Sequence, residues 1–87
     1  MDINKQDMIT SIREYFFENF LFGYTEDEIK NDTSFSELGV LDSTGIMEIV
    51  SFIENEFDIT INDSEITHEN LDSIDLMVDF ISSKKNI

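Results

Sequence analysis

The sequence predicts an all-α fold, a small bundle of three longer helices and one short one, with a long loop between the first and second. Apolar residues recur at helical spacing in three separate stretches. Capping residues stand ahead of the second and the last of these. The chain also has no proline and only three glycines, so few positions break a helix. An apolar content of 40% argues against disorder.

The first helix is expected from about Lys5 to Phe20, with Met8 or Ile9, Ile12, Phe16 and Phe20 on one face. Tyr15 and Phe17 flank that stripe and make it broad and aromatic. The stretch Asn19 to Tyr24 reads as the helix end, with Gly23 suited to a left-handed turn. A long connection then runs from Thr25 to Leu41. Thr25 is placed to cap a short turn through Ile29, and Asn31 to Ser34 is turn chemistry. A loop of this length needs apolar anchors to stay in a compact body, and Phe35, Leu38, Val40 and Leu41 supply them.

The second helix is expected from Ser43 to about Glu56. Asp42 is its N-cap, because a carboxylate there accepts the unpaired amides of the first turn. Ile46, Ile49, Val50, Ile53 and Phe57 form its buried stripe. Phe57 to Ile61 alternates apolar and polar residues and reads as extended, with Ile59 and Ile61 turned inward. Asn62 or Asp63 caps a short third helix reaching Ile66. Thr67 caps the last helix, His68 to about Lys84, and Glu69 in its first turn suits the helix dipole. Leu71, Ile74, Met77, Val78 and Ile81 make its stripe, and Lys84 and Lys85 sit at the favourable C-terminal end.

Five basic and twenty acidic residues among 87 give a net charge of -15. Such a balance repels nucleic-acid phosphates and anionic membrane surfaces, so neither is expected as a partner. It suits association with basic surfaces on other proteins, speeded by long-range attraction. The length fits a single domain, 1–87, expected as a monomer and too small to enclose a substrate with catalytic machinery. The absence of cysteine removes disulfides, thiolate metal sites and a cysteine nucleophile. No apolar run at Met1 to Asp7 suggests export, and no segment is long enough to span a bilayer, so a cytoplasmic address is expected.

The chemical candidates are few. Asp58, Thr60, Asn62 and Glu69 imitate the offsets of a calcium-binding loop. Asp63, however, stands where that loop needs glycine, and Glu65 where it is normally apolar, so no metal site is expected. His68 is the single histidine, read as a first-turn helix residue. No catalytic residue is assigned, since no base in the sequence can be nominated to activate a serine.

That leaves the junction itself. With Asp42 as cap, Ser43 falls at the first helical position with a hydroxyl not needed for capping. Phe35 followed by Leu38-Gly39-Val40-Leu41-Asp42-Ser43-Thr44, then the stripe and an acidic outer face, resembles the acyl carrier protein family. The resemblance runs from about Met8 to about Lys84. It implies a four-helix carrier-protein bundle whose long loop delivers the Asp-Ser junction to one end. It also implies that Ser43 carries a covalent 4'-phosphopantetheine arm, added by a phosphopantetheinyl transferase. The arm would hold acyl or aminoacyl groups as thioesters for enzymes of fatty-acid, polyketide or related biosynthesis. Such chemistry wants an unhindered hydroxyl and a helix N-terminus able to receive a phosphate, and it requires no base from the carrier.

On a helical wheel Thr44, Met47, Glu48, Ser51, Glu54 and Asn55 lie opposite or beside the buried stripe. By resemblance this face docks the transferase and acyl-loading and acyl-processing enzymes with basic docking surfaces. Asp42, Glu48 and Glu54 would be its electrostatic contacts, and Met47 and Thr44 its inner ones. The family usually has leucine where this chain has Thr44, which thins the apolar patch beside the arm. Gly45 and Asn55 stand where many relatives carry acids. An unmodified acidic adaptor, binding a basic protein through the same face, is the second reading of these residues.

Overall fold

The computed structural model describes residues 4–86, and the N-terminal reading on Met1 to Ile3 lies outside them. Five α-helices and two 3-10 turns follow one another, with no strand among the described residues. Three helices are long: α1 (Lys5–Asn19), α3 (Ser43–Phe57) and α5 (Ile74–Lys85). Two are single turns, α2 (Phe35–Leu38) and α4 (His68–Leu71).

α1 starts at Asn4, whose side-chain oxygen accepts the Asp7 amide at 2.8 Å. Met8, Ile12 and Phe16 are fully buried, and Phe20 caps the end while its amide still donates to the Phe16 carbonyl at 2.8 Å. Gly23 takes the left-handed conformation its position called for, φ 88°. Beyond it the long connection is held by Arg13 on α1. One guanidinium nitrogen of Arg13 donates to the Ile29 carbonyl at 2.8 Å and to Asn31 Oδ1 at 3.1 Å. The other donates to the Glu26 carbonyl at 3.1 Å and to its carboxylate at 3.0 Å.

The anchors Phe35 and Leu38 sit on α2, a helical turn that sequence spacing did not reveal. Four residues contain too little of a period to register. Ser34 Oγ accepts the Glu37 amide at 3.3 Å to open the turn. Gly39, at φ 68°, closes it by donating its amide to the Phe35 carbonyl at 3.1 Å. The Phe35 ring lies flat on Phe16, centroids 4.4 Å apart, and both are completely buried.

The expected extended segment from Phe57 to Ile61 is corrected. Phe57 is the last residue of α3, and Asp58 ends the helix in the left-handed region at φ 54°. Ile61 is buried and Ile59 half-buried, as their spacing suggested, but no strand forms. The Ile61 amide instead donates to Glu54 Oε2 at 2.9 Å. The short third helix is a 3-10 turn, Asp63–Glu65, in which Glu65 Oε1 reaches back to the Asn62 amide at 2.9 Å.

The single last helix expected from His68 to Lys84 is also corrected, because it breaks at Asp72 and Ser73. Ser73 starts α5 as its own N-cap, accepting the Leu76 amide at 3.1 Å. Asp72 faces α2: its carbonyl accepts the Phe35 amide at 2.8 Å and its carboxylate the Ser36 amide at 2.9 Å. Its carboxylate also accepts the hydroxyls of Ser34 and Ser36. A continuous helix would have engaged that carbonyl internally and turned it from α2. The apolar stripe survives the break, with Leu71, Ile74, Met77, Val78 and Ile81 all buried. Lys84 pairs with Glu65 at 2.9 Å, and Lys85 donates to the Phe57 carbonyl at 2.7 Å, which closes the C-terminal end of α3.

Burial alone raises the Asp72 pKa, but the hydrogen bonds from Ser34 and Ser36, aided by nearby His68, more than offset it. The carboxyl is left below its ordinary value. A depressed folded pKa means stability that is present above the ordinary aspartate value of 3.8 and lost as pH falls through the folded value. Asp72→Ala should therefore lower unfolding free energy by about 1–3 kcal/mol at neutral pH. In urea titrations across pH, the gap to the parent protein should close below the ordinary aspartate pKa.

Candidate functional site

The turn ending at Gly39 aims the chain across the end of the bundle toward α3. Val40 and Leu41 are half-buried and pin it there, so that Asp42 arrives as an extended residue, φ -108° and ψ -175°. Asp42 Oδ1 accepts the Gly45 amide at 2.7 Å, and its carbonyl accepts the Ile46 amide at 2.9 Å. These bonds leave the amides of Ser43 and Thr44 without partners among the described residues.

Ser43 opens α3, exposed, with no hydrogen bond to its hydroxyl among the described residues. A phosphoester on that oxygen would project into solvent beside two free amides and the positive end of a 15-residue helix. The residues present thus fit a phosphate-linked arm.

Gly45 does not lie on the exposed face of α3. It is buried, and an added Cβ would lie 3.1 Å from Cε1 of Phe20. The position where the resemblance implied an acid in many relatives is a packing contact between the end of α1 and the start of α3. Thr44, Met47, Glu48, Ser51 and Asn55 are all exposed, and Met47 keeps 53% of its surface open. Glu54 departs from this set: it is half-buried, and its carboxylate is engaged by the Ile61 amide.

Two side chains that spacing did not mark as functional border this face. Tyr15 on α1 stacks on Phe52 of α3, centroids 3.9 Å apart and planes within 10°. The Tyr15 hydroxyl donates to the Glu48 carbonyl at 3.4 Å. Burial, then the Glu48 carboxylate, push the Tyr15 phenol above its ordinary value, so it remains a neutral donor. An aromatic flanking a stripe was the one available hint. Which helix it meets is a tertiary fact.

On the opposite flank of α3 lies a cavity of about 140 Å³ between α3 and α4. Leu41, Ile46, Ile49, Ile66 and Leu71 make its apolar wall, with Asp72 at the rim. Leu41 and Ile46 bracket Ser43 in sequence, so the cavity opens near the junction. His68, its side chain 79% exposed and 3.8 Å from Asp72, lines the cavity and pairs with no second acidic group among the described residues. No group of three or more His, Cys, Asp or Glu gathers among the described residues.

An exposed serine thus stands at the capped N-terminus of a long helix, carried by an all-α bundle. The family described as phosphopantetheine attachment site matches residues 21–81, and the chain belongs to it. Domains of this family are where 4'-phosphopantetheine is covalently attached. Among the described residues no helix is long and apolar enough to cross a membrane.

Replacing Asp42 with Ala removes the acceptor of the Gly45 amide and should cost about 0.5–2 kcal/mol. Amide hydrogen exchange should show the faster opening confined to the first turn of α3, near Ser43.

Proposed function

We propose that this protein is an acyl carrier, residues 1–87 forming one domain whose Ser43 is the attachment point. The observation that carries the reading is the exposed Ser43 hydroxyl at the head of α3, beside the unpaired amides of Ser43 and Thr44. A phosphopantetheinyl transferase performs the modification: the serine oxygen attacks the arm's phosphorus in coenzyme A, and the pyrophosphate P–O bond to the nucleotide half breaks. That nucleotide leaves with its own phosphates, and the serine proton is released as the new phosphoester forms. The carrier's residues orient that oxygen and receive the charge of the phosphate. The arm, once attached, supplies a thiol that holds cargo as a thioester for biosynthetic enzymes.

Thr44, Met47, Glu48 and Ser51 form the docking face next to Ser43, with Asp42 contributing charge at its edge. Glu54 serves the loop after α3 and contributes to docking only through its charge. The cavity beside α3 favours a short cargo. At about 140 Å³ it matches the roughly 150 Å³ site that accepts a benzene-sized guest. A long saturated chain would have to part α3 from α4.

Co-expression with a broad-specificity transferase, followed by intact-mass measurement, should show one added arm, and Ser43→Ala should abolish it. A parent chain of unchanged mass would support the acidic-adaptor reading instead. Glu48→Lys should lower kcat/KM for arm transfer several-fold at low ionic strength. At high salt, where charges are screened within a few Å, the two proteins should converge.

A further inference from the structure

The face next to Ser43 continues into an open groove between α1 and α3. Tyr15, Met47, Glu48, Ser51, Phe52 and Glu56 line it. The Tyr15–Phe52 stack makes an apolar surface, and Met47 stands exposed beside it as an unbranched, adaptable contact. No basic residue lines the groove, and the sequence has no Lys or Arg between Lys30 and Lys84. Elsewhere Arg13, Lys5 and Lys84 are paired with Glu26, Asp79 and Glu65. Among the described residues, neither Glu48 nor Glu56 forms an ion pair.

An apolar surface between two unneutralised carboxylates selects its occupant by charge. A second copy of this chain would set carboxylate against carboxylate in a molecule of net charge -15. A cationic protein segment has the opposite sign and meets no such cost.

We infer that α1 and α3 together form the docking groove for partner enzymes. An aliphatic side chain of the partner lies on the Tyr15–Phe52 pair beside Met47, and flanking Arg or Lys residues meet Glu48 and Glu56. The inference rests on the carrier reading, since the partners are the enzymes that act at Ser43. It also lengthens the footprint. Glu56 stands thirteen residues beyond Ser43 on one helix, about 20 Å along its axis. A partner must therefore touch α3 well past its first turns and reach across to α1.

The test is an NMR titration of ¹⁵N-labelled apo protein with a broad-specificity phosphopantetheinyl transferase, coenzyme A withheld. Amides of Tyr15, Phe52, Asn55 and Glu56 should shift together with those of Thr44 to Ser51. Glu56→Lys should weaken binding several-fold at low salt. Asp32→Lys, the same charge change on an exposed loop residue outside the groove, should weaken it much less. Shifts that stop at Ser51, or equal weakening by the two variants, would overturn the groove while leaving the carrier intact. A parent protein that neither binds the transferase nor gains mass would overturn both.

Discussion

Phe35 is held twice, and the rest of the architecture follows from how. Its ring stacks on Phe16 in the centre of the core, and its amide donates to the Asp72 carbonyl at the break between α4 and α5. The first contact fastens the long connection to α1, the second to the C-terminal half of the chain. Between them they fix the start of α2, hence the Gly39 turn, hence the line along which Asp42 and Ser43 reach α3. A loop without this double anchor would carry the entropy of many free residues, and the serine it delivers would have no defined position.

The polar contacts around that anchor divide the labour. Arg13 gathers the first half of the connection through carbonyls and a carboxylate, and Asp72 gathers the second half through Ser34 and Ser36. Both side chains are charged, yet both act mainly on the fold. The exposed carboxylates of α3, by contrast, have little to do inside the molecule. Glu48 and Glu56 meet no cation among the described residues, so their charge is available to other molecules. Glu54 shows how narrow the distinction is. It lies on the same helix, but its carboxylate is engaged by the Ile61 amide.

The two flanks of α3 also differ in kind. Toward α4 the helix borders a small, mostly apolar cavity near the serine. Toward α1 it borders an open groove with aromatic walls and an acidic edge. Under the proposed carrier reading, α3 would present one side to cargo and the other to proteins, because the two sides are set by different neighbours.

Local chemistry settled much of this in advance. The spacing of Met8, Ile12 and Phe16, of Ile49, Val50 and Ile53, and of Ile74, Val78 and Ile81 identifies three amphipathic helices, since burial follows periodicity. Asp42 is readable as a cap and Ser43 as the residue after it, because capping depends on a few adjacent atoms. Other features need partners distant in sequence. The last helix breaks where Asp72 accepts from Ser34, Phe35 and Ser36 at the start of α2, which no pattern within residues 68–84 could disclose. Gly45 reads as a missing acid until Phe20 is found against it. Tyr15 is an ordinary flanking aromatic until Phe52 stacks on it from a helix 37 residues away. The sequence by itself determined where a free hydroxyl would sit on its own helix. Only the tertiary structure decided what surrounds that helix, because packing contacts join residues whose order along the chain says nothing of their distance in space.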